Sequence, residues 1–162
     1  MSADPTLKLA RTLRLDDSDA LVFERPAEPF EWAISGAFEF SNWTEADLAG
    51  KRRQAFANGW LGLESFGRAT LVAVTAISPA EYDALIERLS AHFVERYGAP
   101  DLEAARGPAR EELEHMRAMC EDQPDNAILT VSRELVPAGV KESFRVIPPR
   151  EAGLESFAVH GG

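Results

Sequence analysis

The chain has 162 residues and a single cysteine, Cys120. One thiol excludes an intramolecular disulfide and any cysteine-rich zinc site. Histidine is nearly as scarce, with His92, His115 and His160 only. No apolar run approaches the ~20 residues of a membrane-spanning helix, and Ala69–Ile77 is about half that length. The opening Met1-Ser2-Ala3-Asp4-Pro5 lacks a basic segment followed by an apolar one, so no secretory leader is expected and the cytoplasm is the default location. Neither G-x-x-x-x-G-K-[ST] nor G-x-G-x-x-G occurs, so Gly59, Gly62 and Gly67 build no phosphate loop. A G-x-S-x-G nucleophile elbow is also missing.

Positive charge is in short supply. Seventeen Lys and Arg stand against 27 Asp and Glu, a net charge of −10. Residues 1–100 and 101–162 each carry −5, so there is no acidic tail and no basic arm. Such a chain is repelled by phosphate backbones unless it has a strong local patch. The densest patch, Lys51-Arg52-Arg53, is too small for nucleic acid, and no nucleic-acid or membrane partner is expected.

What is present is a balanced composition, 45% apolar and 27% charged, which suits one soluble globular domain. "TLKLARTLRL" alternates, with Leu7, Leu9, Leu13 and Leu15 on one face, and predicts a strand. After "DDSD", the segment Ala20–Glu24 predicts a second strand and a hairpin. "FEWAISGAFEF" alternates again, with Gly36 marking a bulge or a close backbone approach. Thr44, Asp47, Trp43 and Leu48 have the spacing of a capped helix start, with its end near Ala57. Ala69–Ile77 predicts a central strand. Ser78-Pro79 opens a helix whose stripe is Tyr82, Leu85, Ile86, Leu89, Phe93 and Tyr97. Residues 101–123 are helical, with Gly107-Pro108 as a restart or a kink. "AILTVSREL" and "VKESFRVI" form a hairpin about Val136–Gly139. The order implies an α+β fold: an antiparallel or mixed sheet of about six strands with three helices packed mainly on one face. Residues 1–150 form one domain, and 151–162 a loosely ordered tail.

The pentapeptide GLESF occurs at Gly62–Phe66 and again at Gly153–Phe157. The flanks at that offset share nothing, so the fold is not duplicated. The first copy sits in a more informative setting. Trp60, Glu64, Phe66 and Arg68 bring polar and aromatic residues to an irregular, glycine-flanked strand entry, as small-molecule pockets do. A structural Glu64–Arg68 ion pair beside core aromatics is the competing explanation. Glu111, Glu112 and His115 have helical metal-ligand spacing but no second ligand pair, so no metal and no cofactor is expected. His92 borders a helix stripe and reads as a boundary residue rather than a base. Cys120 reads as a buried, inert thiol.

The run "KRRQAFANGWLGLESFGRATLVAV", with "RTLRLDDSDALVFERPAEPFEW" and "FEWAISGAFEF" before it, resembles a family of short bacterial proteins described only as a domain of unknown function. The resemblance spans about Leu7–Ile147 and implies no activity and no site residues. With no catalytic motif, the expectation is a non-catalytic accessory or interaction module that associates with itself or with a protein partner. The alternative is a small-molecule-binding protein, or an unrecognised enzyme, with its pocket near Trp60, Glu64, Phe66 and Arg68.

Overall fold

The computed structural model describes residues 7–14 and 18–147. The first alternating run forms β1 (Lys8–Leu13), but it is covered on both faces: Leu9, Ala10 and Thr12 are all buried. The expected strand at Ala20–Glu24 does not form. A single helical turn, α1 (Ser18–Val22), replaces it. Ser and Asp open helices as readily as turns, and so short an apolar run carries no decisive period. β1 therefore pairs with distant segments: antiparallel to β2 (Trp32–Ile34) on one side and to β5 (Leu71–Ala76) on the other.

β2 is far shorter than "FEWAISGAFEF" predicts. Gly36 turns the chain with φ of 72°, and Ala37–Phe40 becomes a 3₁₀ turn. A side chain at Gly36 would be strained by that φ and would also meet the Leu61 Cβ at 2.5 Å. The chain then returns as β3 (Trp60–Gly62) and β4 (Arg68–Ala69), with GLESF forming the turn between them. β6 (Ile128–Val136) and β7 (Gly139–Ile147) complete the sheet as the expected hairpin. The order is β4-β3-β2-β1-β5-β6-β7, every neighbouring pair antiparallel, so the described residues form a sheet of seven strands, close to the about six expected. The fold is α+β, with a curled antiparallel sheet.

Among the described residues, three helices of two turns or more pack on this sheet or on one another. Thr44 and Asp47 do form a capping box, but on a 3₁₀ turn at Glu45–Asp47; α2 (Gly50–Asn58) starts after it. Ser78 Oγ accepts the Glu81 N–H at 3.1 Å and starts α3 (Pro79–Arg96). Asp101 caps α4 (Leu102–Cys120) in the same way, accepting from Ala104 N–H at 2.8 Å. α4 runs unbroken through Pro108. Pro108 and Ala104 are exposed, so the carbonyl that proline leaves without an N–H partner can meet water. α4 lies against β1 and β2, α3 packs along α4, and α2 packs on β6. The main core joins Leu9, Ile34, Trp60, Leu89, Leu113 and Leu129. A second, smaller cluster of Phe40, Leu48 and Phe56, flanked by Trp43, sits under α2. None of the described helices is long and apolar enough to cross a membrane. The tail at 151–162, the second GLESF copy and the domain limit at 150 lie outside the described residues.

Candidate ligand-binding site

The four residues singled out around the first GLESF go to three different places. Trp60 is fully buried; its indole N–H donates to Leu129 O at 3.1 Å, and its ring stacks on Phe144 at 5.7 Å. Glu64 is exposed, and it is its backbone that is engaged: the N–H donates to Glu31 and the carbonyl accepts from Arg88. Phe66 and Arg68 do come together, on the wall of one cleft. Glu64 and Arg68 form no ion pair with each other; the carboxylate that meets Arg68 belongs to Glu39, at 2.5 Å.

The GLESF turn is built on a carboxylate that alternation places on an outer face. Glu31 is 1% exposed. Its Oε1 accepts the N–H groups of Glu64 and Ser65 at 2.9 and 2.8 Å. Its Oε2 accepts Ser65 Oγ–H and the Glu28 N–H, both at 2.6 Å. Four donors satisfy the buried charge without a cation, as burial requires. Gly62 is needed because any Cβ there would collide with the Glu31 carboxylate. This clamp holds Phe66 in the left-handed region, φ 57°, which costs a bulky residue about 1–2 kcal/mol. The strain is offset by a parallel stack of Phe66 on His92, with centroids 3.7 Å apart.

Beside this turn lie two buried arginines. Arg133 donates Nε–H to Glu142 at 2.6 Å and Nη–H groups to the carbonyls of Ser35, Phe56 and Gly59 at 2.6, 2.9 and 2.9 Å. Arg68 shares two of those acceptors, Ser35 O at 3.2 Å and Gly59 O at 3.1 Å, and adds Gly36 O at 3.1 Å. Both guanidinium groups lie near the Phe40 ring, at 4.6 and 5.2 Å. Burial, with the neighbouring Arg68 charge, pulls Arg133 down to about 10. Arg68 Nε–H is buried with no acceptor among the described residues.

Arg68 also faces an open cleft of about 300 Å³. Its apolar wall is Phe23, Trp43 and Phe66. Arg25, Lys51, Arg52 and Arg68 line it as cations, against Glu24 and Glu39. The cleft is therefore locally positive on a chain of net charge −10. Two of the cations are committed: Arg68 to Glu39, and Arg52 to Asp47 at 3.7 Å, with its guanidinium 4.4 Å over Trp43. Arg25 and Lys51 are exposed, and neither makes an ion pair among the described residues. Burial raises the Glu39 carboxyl, but Arg68, the Tyr97 hydroxyl at 3.1 Å and His92 outweigh it, so its pKa falls below the ordinary value. Burial holds His92 below its ordinary value, with Glu39 pulling the other way.

The helical trio does not gather. Glu111 and His115 are exposed; His115 Nε2 lies 3.8 Å from Glu142, and burial pushes Glu112 up. Among the described residues no three His, Cys, Asp or Glu side chains form a metal cage. Burial pushes the Cys120 thiol up to about 12, as an inert thiol requires. Sequence reasoning missed Glu31, Glu39, Arg133 and Glu142. Only Arg133 left a signal: in "AILTVSREL" it shares the buried phase of Leu129 and Val131.

A family model matches residues 7–162. The chain belongs to DUF6505, a family of unknown function. No curated protein and no solved structure matches it.

Proposed function

We propose that this DUF6505 member is a non-catalytic binding module whose cleft takes a small organic anion carrying a flat ring. The observation that carries this is the locally positive, aromatic-walled cleft on an otherwise acidic chain. Arg25 and Lys51 supply uncommitted positive charge at its mouth, where it attracts an anion from solution. Phe66 and Trp43 supply ring faces for stacking. Arg68 is fixed by Glu39 and by three carbonyls, so it is pre-oriented and needs little ordering on binding. The volume, about 300 Å³, lies at the small end of ligand pockets, so the ligand is a compact one. Calorimetric titration with benzoate, indole-3-acetate and phenyl phosphate tests the binding. Cyclohexanecarboxylate separates the ring requirement from the charge requirement. Binding of at least one aromatic anion, weakened about tenfold or more in Lys51→Glu, is expected; absence of binding by all three overturns the ligand class.

A second reading, association with another protein or a second copy, is favoured by β7. It is a nine-residue edge strand whose outer side pairs with nothing among the described residues. Light scattering across a concentration series tests it: a dimer abolished by Val146→Pro, at a position whose N–H faces away from β6, supports edge pairing, and a monomer at all concentrations removes it.

A further inference from the structure

The cleft holds an acid, as well as two bases, that the fold leaves unused among the described residues. Glu39 is engaged on both oxygens, its Oε1 by Arg68 and its Oε2 by the Tyr97 hydroxyl. Glu24 is exposed on the cleft wall, and its side chain makes no ion pair or hydrogen bond among the described residues. Arg25 is its neighbour in the chain, yet the two side chains do not pair. The rim that carries them is fixed on both sides. The Arg68 N–H donates to Arg25 O and the Ala27 N–H to Arg68 O, both at 2.8 Å, and Phe23, before Glu24, is buried. Gly67 permits that approach, because a Cβ there would meet Pro26 O at 2.5 Å. Lys51, the other unused base, comes from the first turn of α2. That turn has no acidic residue and no side-chain cap, so its N–H groups also favour a carboxylate.

We infer that the ligand of the cleft is zwitterionic: an aromatic α-amino acid whose carboxylate meets Arg25 and Lys51 and whose ammonium group meets Glu24. This rests on the proposed reading of the cleft as a site for a ring and an anionic group, and it adds a cation to that ligand. A simple carboxylate would bring its charge beside Glu24 and leave that acid covered without a partner, which costs free energy. A ligand of net negative charge also meets the long-range field of a chain at −10. An amino acid is neutral overall, so it escapes that repulsion at a distance and satisfies both signs on contact. Its ring lies against Phe66 and Trp43.

Calorimetric titration of the native chain with L-tryptophan and with indole-3-propionate, which lacks only the ammonium group, tests this. L-phenylalanine and 3-phenylpropionate form a second pair. In at least one pair the amino acid should bind about tenfold more tightly than its deaminated partner. Glu24→Gln should weaken that amino acid about tenfold and tighten the deaminated acid, because the same charge attracts one and repels the other. Its unfolding midpoint should stay unchanged, since Glu24 is exposed and unpaired. Equal or tighter binding of the deaminated acid in both pairs overturns the inference and leaves the ring-and-anion reading standing. Weakening of both members of a pair by the same factor in Glu24→Gln also overturns the inference alone. Absence of binding by all four compounds overturns both.

Discussion

Two buried charge centres lie on either side of the GLESF turn, and they are satisfied in opposite ways. The Glu31 carboxylate is closed: four short donors from nearby backbone and Ser65 saturate it, and it lines no cavity described above. The Arg68–Arg133 pair is open: it needs two carboxylates, several carbonyls and the face of Phe40, and Arg68 still borders the cleft with an unmatched Nε–H. A closed centre shapes the chain. An open one costs desolvation of two like charges, and that cost is more readily understood where the fold uses the positive field. The difference separates structure from candidate function at a site where the sequence alone mixes them.

The comparison can be broken at several points, the most severe first. Arg133→Ala should cost about 3–5 kcal/mol in urea unfolding, because Glu142 is left as an uncompensated, partly buried charge. Glu31→Gln keeps the shape but loses charge-assisted bonds, and about 2 kcal/mol is expected. The two centres share no partner, so the double variant should be additive within about 0.5 kcal/mol; a larger coupling would merge them into one network. Tyr97→Phe removes one donor to Glu39 and should cost about 1 kcal/mol.

A subtler effect is in pH. His92 titrates below its ordinary 6.5 in the folded chain, so near that pH the unfolded chain binds more protons. Stability should therefore rise with pH through the window ending at about 6.5 and be lost as pH falls through the lower folded value. Glu39, also lowered, adds stability that is present above its ordinary 4.5 and lost on further acidification. Substituting His92→Asn should flatten only the upper window; an unchanged slope there would show that the Phe66–His92 stack carries no proton linkage.

The sequence made the long elements legible. α3, α4 and the β6–β7 hairpin carry many periods, caps and turn residues, and these local cues agree with the fold except at Gly107-Pro108, through which α4 runs unbroken. The short ones were not legible, because three residues of β2 or β3 hold no measurable period. Ala20–Glu24 failed for that reason, and the Leu7–Glu24 hairpin failed with it. At the cleft, the glycine-flanked segment contributes Phe66 and Arg68 to the wall. Trp60 could not be distinguished from a core residue by type. Arg25, Trp43 and Lys51 come to the cleft only through tertiary packing, and Glu31 looks like an ordinary outward glutamate in its strand.

The most direct measurement is calorimetric titration of indole-3-acetate into the native chain and into Arg25→Glu and Lys51→Glu. Both positions are exposed, so unfolding midpoints should stay unchanged. Saturable binding to the native chain is expected, weakened about tenfold or more by each charge reversal. Equal affinity in all three proteins would show that the positive cleft is not the binding site.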